Sequence, residues 1–188
     1  MQQRGAKPNT YAFIDSQNLN LGTQRMGWKL DWRKFRELLG KKYGVTHAYM
    51  FIGYMSENEA LYEYMHDLGY LIVLKPTVDV GSGTPSPDQP KEEKEKPAVK
   101  GNVDADLVLY AMKEIPNYDK AIIVSGDGDF LGLIEYLHQQ NKLANIMTPN
   151  WQYSSLFKPY EPQIIRLDQL RKQLAYHDRK KPTTPRNT

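Results

Sequence analysis

The chain has 188 residues, with 25 Lys plus Arg against 22 Asp plus Glu and a formal net charge of +3, which suits one domain with extra segments and does not by itself establish a nucleic-acid partner. Hydrophobic residues at 40% and aromatics at 11% allow a real core, and the 13 tyrosines are expected largely at its rim. The absence of cysteine excludes disulfides and thiolate zinc sites and fits a reducing cytoplasm, the four histidines lack metal-ligand spacing, and no apolar run approaches a membrane span.

Residues 1–10 read as a flexible, polar leader without the apolar region of a signal peptide. Residues 11–14 form the first strand, which runs into the polar turn Asp15-Ser16-Gln17-Asn18. A looser stretch through Gly22 and Gly27 follows. Asp31 is placed to cap a helix from Trp32 to about Lys42, with Phe35, Leu38 and Leu39 on one face and Gly44 as its stop. Residues 46–53 are the second strand. Ser56 and Glu59 fit a capping box for a helix showing Leu61, Tyr64, Met65 and Leu68, ended by Gly69. Residues 70–74 are the third strand, closed by Lys75-Pro76. Strand and helix alternate, so a parallel sheet with right-handed crossovers is expected.

Residues 77–99 break the pattern. Glycine, proline and the run Lys-Glu-Glu-Lys-Glu-Lys at 91–96 leave no apolar periodicity, and the stretch reads as a disordered insertion inside a single domain spanning 11–178. After Lys100-Gly101-Asn102-Val103-Asp104-Ala105-Asp106, a helix carries Leu107, Val108, Ala111 and Met112. Residues 121–124 are a strand buried on both faces. Ser125-Gly126-Asp127-Gly128-Asp129 ends it, and a helix begins near Asp129 with Phe130, Leu133, Ile134 and Leu137 at helical spacing. Residues 143–147 and 164–167 are further strands, a helix runs from Asp168 to about His177, and residues 179–188 are a basic flexible tail.

Acids recur where strands end. In a doubly wound sheet the first and fourth strands are neighbours at the topological switch point, where ligands bind. Asp15 and Asp127 would then lie side by side, with Asp104 at the start of the helix leading into the fourth strand. Two unit charges about 4 Å apart repel by roughly 4 kcal/mol at an effective dielectric near 20. Such a cluster needs raised pKa values, basic neighbours (Lys75 and Lys100 are candidates) or a bound cation. Acids together with Asn18 and Ser125 form an all-oxygen set, which suits Mg²⁺ or Mn²⁺ over zinc. The plainer reading of the Asp127 turn is a helix cap by Asp129 with Asp127 solvated. Neither a G-x-S-x-G elbow nor a phosphate-binding G-x-x-x-x-G-K-[ST] loop is present.

Three motifs in this order and spacing resemble the NYN family of the PIN-like nuclease superfamily, including LabA-like bacterial proteins: Tyr11-Ala-Phe-Ile-Asp15-Ser-Gln-Asn18, Lys100-Gly-Asn-Val-Asp104 and Ser125-Gly-Asp127-Gly-Asp129-Phe130. The resemblance covers residues 11–150, extending toward 170, with 77–99 as an insertion. It implies an α/β fold with helices on both faces of a parallel sheet of order 3-2-1-4-5, an acidic divalent-metal site, and hydrolysis of RNA phosphodiester bonds. By it Asp15, Asp104, Asp127 and Asp129 are metal-site and catalytic acids, and Asn18 is a catalytic residue that orients water or a carboxylate. Many members carry a further Asp where this chain has Tyr110; Asp106 is the nearby substitute.

The expected activity is therefore that of a Mg²⁺- or Mn²⁺-dependent ribonuclease acting on single-stranded or loop RNA in the cytoplasm, with no membrane partner and with self-association left open. Lys75, Lys100, Ser125, Trp151 and Tyr153 are the expected substrate contacts. Lys158 is a further cation near the strand ends, with Arg171, Lys172, Arg179, Lys180 and Lys181 outside. For Trp151 and Tyr153 the alternative is loop packing, and for the tail a solubilising end. The rival functional readings are a non-catalytic PIN-like module that binds RNA or protein, and a metal-dependent phosphatase acting on small molecules.

Overall fold

The structure, a computed structural model, describes residues 8–53, 58–75 and 103–177. In chain order the elements are β1 (Thr10–Asp15), α1 (Ser16–Arg25), α2 (Trp32–Tyr43), β2 (Val45–Gly53), α3 (Glu59–Asp67), β3 (Leu71–Lys75), α4 (Asp104–Lys113), β4 (Lys120–Val124), α5 (Leu131–Gln139), β5 (Leu143–Thr148), β6 (Ile164–Arg166) and α6 (Arg171–Leu174). Among the described residues, six strands form one sheet in the order β3-β2-β1-β4-β5-β6, and every pairing is parallel. The insertion expected at 77–99, the first seven residues, Lys100 and the basic tail from 179 lie outside the described residues.

The alternation of strand side chains divides the core into two layers. Ala12 and Ile14 of β1, with Ile122 and Val124 of β4, pack on one face with Leu19 of α1, Phe35, Leu38 and Leu39 of α2, Met65 of α3 and Leu174 of α6. Tyr11 and Phe13, with Ala121 and Ile123, face the other way, onto Leu107 and Ala111 of α4 and Leu133, Ile134 and Leu137 of α5. All six residues of β1 are buried, as a central strand covered on both sides requires. Tyr70 and Tyr118 are core members whose hydroxyls donate to Trp32 O and Ala111 O. No helix among the described residues is long and apolar enough to cross a membrane.

Chain order reverses between β1 and β4. The register pairs Ile14 with Val124, so the next residues of both strands, Asp15 and Ser125, emerge together at the carboxyl edge. This is the topological switch point.

Several local expectations change. The stretch after Asn18 is not loose: it is α1, and the side chain of Asp15 caps it by accepting from Asn18 N. Its sequence, SQNLNLGTQR, is polar with a central glycine, so propensity alone argues weakly for it. Leu19, Gly22 and Thr23 nevertheless bury one side of it. In α3 the first capping position falls to Asn58, which makes no side-chain cap bond, and Ser56 lies outside the described residues. Tyr62 and Met65 are the buried residues of α3 while Leu61 and Tyr64 are exposed, because the helix covers the half-exposed edge strand β3. The turn after β4 is a short 3-10 segment, Gly128–Phe130, before α5. The helix expected from Asp168 starts as a 3-10 turn and ends at Leu174, where Ala175 bridges Leu30. Asp31 and Gly44 bound α2 as expected, Gly44 at a φ of 67°.

One close approach fixes α1 against the loop after β5. A Cβ built on Gly22 would stand 2.4 Å from Pro149 Cγ, and the Asn150 side chain donates to Gly22 O at 2.9 Å. Gly22→Ala is therefore expected to destabilise the protein by about 1–3 kcal/mol through overpacking. Gly132→Ala in α5, where an added Cβ meets nothing within 4 Å, should stabilise by up to about 1 kcal/mol through helix propensity. Urea unfolding of both variants measures the contrast; equal effects would show that the Gly22 contact is not restrictive.

Candidate active site

The site is built on the paired ends of β1 and β4. Asp15 is only 4% exposed. Its Oδ1 accepts from Asn18 N at 3.0 Å and its Oδ2 accepts from Ser125 Oγ at 3.1 Å. Ser125 in turn accepts from Asp127 N at 3.2 Å, and Asn18 Oδ1 accepts from Gly126 N at 2.9 Å. One strand end is thus laced to the other by three side chains. A serine fits between them because its hydroxyl donates and accepts at once.

Asp127 caps the 3-10 turn: its Oδ1 accepts from Asp129 N at 3.1 Å. The capping role expected of Asp129 in the plainer reading belongs instead to Asp127, because the chain turns one step earlier than the apolar spacing of α5 indicated. Asp127 Oδ2 makes no hydrogen bond among the described residues. Asp129 is exposed.

Burial raises the pKa of Asp15 above its ordinary value; the bonds from Asn18 and Ser125 oppose this, and the charges of Asp104 and Asp127 push it higher. Three of the four expected acids therefore share one electrostatic environment, and Asp129 does not enter it. Among the described residues no group of three or more His, Cys, Asp or Glu is close enough to hold a metal ion as it stands. The donors are all oxygens and the central one is desolvated among like charges, a set whose chemistry fits a hard divalent cation.

The other expected residues separate. Lys75, at the end of β3, pairs with Asp106 at 3.1 Å, so Asp106 faces β3 and not the charge of Asp15. Tyr110 packs against Tyr49 and Phe51; its position on α4 belongs to the aromatic core. Ser125 is buried, 1% exposed, with its hydroxyl engaged on both sides by Asp15 and Asp127 N. Tyr153 packs its Cβ against Gly126, while Trp151 is 57% exposed on the same loop. Lys158 and Lys172 are exposed. Arg171 donates to Met26 O and Gly27 O and holds the turn after α1. Lys100 lies outside the described residues. The sequence allowed loop packing for Trp151 and Tyr153 but not the bond that fixes the loop 149–154: Ser154 N donates to Gly126 O at 3.0 Å, and Pro149 and Tyr153 close over the glycine. Its only signal was a pair of small residues, Gly22 and Gly126, that tolerate close approach. Arg25 and Gln152 were overlooked with it.

The raised Asp15 pKa fixes a sign. Below pH 3.8, its usual value, the carboxyl is protonated in both folded and unfolded chains and carries no penalty. As pH rises from there through the higher folded value, the folded chain holds its proton longer, and stability is lost. Asn caps a helix as well as Asp, so Asp15→Asn in EDTA should melt higher than the parent at pH 7, with the advantage vanishing below about pH 3.8. A variant that melts lower at pH 7 and keeps the same deficit at low pH would show that the charge is not the destabilising feature.

Comparisons with known proteins agree with this architecture. A crystal structure of a protein of unknown function from Vibrio parahaemolyticus is similar in fold, with a TM-score of 0.67 at 20% identity, covering 92% of this chain and 99% of that one. The Low amplitude and bright protein LabA of Synechococcus elongatus is 22% identical over 177 residues, 90% of this chain and 89% of its own. The NYN domain model matches residues 9–167, which takes in β1, the acidic turn after β4 and the loop that closes over it. The chain belongs to the NYN domain family, a family of PIN-like nucleases.

Proposed function

We propose that this protein is a divalent-metal-dependent ribonuclease that hydrolyses phosphodiester bonds of single-stranded RNA at the carboxyl edge between β1 and β4. The observation that carries the reading is Asp15: a buried carboxylate, hydrogen-bonded to the opposite strand end and destabilised by desolvation and by Asp104 and Asp127. Family membership supports nuclease chemistry.

Asp15, Asp104 and Asp127 would hold Mg²⁺ or Mn²⁺, with Asp129 at the open side. When bound, such an ion neutralises the acids and acts as a Lewis acid toward a phosphoryl oxygen. The chain supplies the rest. Ser125 and Asn18 hold the two strand ends in register, which fixes Asp15 relative to the Asp127 turn. Asp127 has one oxygen committed to its cap and, among the described residues, the other free of hydrogen bonds; the free oxygen is the one available to the ion. Trp151, exposed at 57%, is a platform for a base.

Asp127→Asn keeps the cap acceptor and removes the charge. With Mn²⁺ and labelled single-stranded RNA, cleavage should fall by about 100-fold or more, the scale seen when one electrostatic participant is removed, while RNA binding stays near that of the parent. In thermal melts the parent should gain up to about 2.7 kcal/mol at an Mn²⁺ concentration 100 times its dissociation constant, and the variant much less. Equal stabilisation and equal cleavage would overturn the reading.

A second reading, a PIN-like module that binds RNA without cutting it, is favoured by the acids not standing as a closed group among the described residues and by Tyr110 in the aromatic core. RNA binding by a parent that cleaves neither RNA nor nucleotides in Mn²⁺ would select it. Phosphate release from nucleotides alone would select a phosphatase.

A further inference from the structure

Beside the acid cluster, a cleft of about 120 Å³ opens between α1 and the loop after β5. It shares two residues with the site, Asn18 and Gly126, which are bonded to each other at 2.9 Å. The cleft therefore continues the carboxyl edge at a fixed position relative to Asp15. Its opposite wall is Pro149, seated against Gly22, so its width is set by the tightest contact between α1 and the loop.

The lining is chemically asymmetric. Arg25, in the last turn of α1, is the one charged residue of the lining, and it makes no hydrogen bond or ion pair among the described residues. The Gln152 side chain has no partner there either; its backbone N donates to Asn150 Oδ1. Asn150 is used internally at both ends of its amide. Asn18 uses its Oδ1 on Gly126 and keeps its Nδ2 donors open. Leu21 and Pro149 supply apolar surface between these groups. An unpaired guanidinium, two open amides and a small apolar face match a phosphate, a ribose or base edge and a base face in turn.

Resting on the ribonuclease reading of the adjoining acids, we infer that this cleft is an RNA subsite. It holds the nucleotide next to the scissile phosphate, with Arg25 on that nucleotide's own phosphate and the Asn18 and Gln152 amides on its sugar or base. The acids repel the RNA backbone and the unpaired Arg25 attracts it, so the two together set where along the edge a strand can lie. A free Arg at a helix C-terminus also has a local explanation, since a cation there complements the helix dipole. That explanation assigns no role in binding, which makes the two separable.

The test uses the full chain and a fluorescein-labelled oligouridylate. Binding is followed by anisotropy in EDTA at several salt concentrations, and cleavage is followed separately in Mn²⁺. Arg25→Ala should weaken binding about tenfold, the scale of one charge-assisted phosphate contact, and flatten the slope of log affinity against log salt by about 0.7. Arg25→Lys should restore the slope and part of the affinity. Cleavage at saturating RNA should change far less than KM. Lys41→Ala, in the last turn of α2 and paired with Glu37, is the control for general charge loss and should match the parent. If Arg25→Ala binds with the parent's affinity and slope while Asp127→Asn abolishes cleavage, the subsite is overturned and the ribonuclease reading stands. If Arg25→Ala weakens binding but the parent never cleaves, the subsite stands and the catalytic reading falls. A parent that neither binds nor cleaves the RNA overturns both.

Discussion

The carboxylate of Asp15 meets three demands at once. It caps α1, it accepts the Ser125 hydroxyl across the switch point, and it does both while buried. The first two favour the charged form, and burial opposes it more strongly, so the pKa rises. A capping Asp on a solvated helix would meet no such conflict. The local arrangement of the strand ends follows from this group: the Ser125 bond draws β4's end to β1's, the Asn18 cap starts α1, and Asn18 then reaches back to Gly126. An apolar residue at position 15 would leave Ser125 and the first turn of α1 without an acceptor.

The surrounding charges sharpen this conflict. Of the two cations that the sequence placed nearby, Lys75 pairs with Asp106 and Lys100 lies outside the described residues. Burial raises the pKa of Asp15 most, the charges of Asp104 and Asp127 raise it further, and among the described residues the hydrogen bonds from Asn18 and Ser125 lower it. A buried carboxylate whose neighbouring acids raise its pKa further is stabilised when a cation binds, and that relation ties the burial of Asp15 to the proposed chemistry.

Much of this was legible from the sequence because the signals were local. The strands at 11–14 and 121–124 are apolar runs ended by polar turns, and the boundaries of α2 follow from Asp31 and Gly44. Repeated strand-helix alternation left few topologies, and the acids fell at strand ends by position. What stayed hidden depends on distant partners. Helix α1 is polar and holds a glycine, so its helicity rests on Leu19 in the core and on Pro149 and Asn150 from the other half of the chain. The division of labour between Asp127 and Asp129 turns on a single hydrogen bond. Asp106 and Asp104 lie two residues apart, and only the position of Lys75 on β3 distinguishes them. Arg25 and Gln152 meet across a cleft whose walls are 127 positions apart in sequence, from Gly22 to Pro149, and no spacing rule reaches that far.

The proposed chemistry requires that the acids at the β1–β4 edge form a divalent-cation site. The most direct measurement is the anomalous difference map of a crystal soaked in millimolar Mn²⁺. A peak bounded by Asp15, Asp104 and Asp127 is expected, absent from crystals of Asp127→Asn treated in the same way. An ordered acid cluster with no manganese between its carboxylates, or the same peak in both proteins, would contradict it.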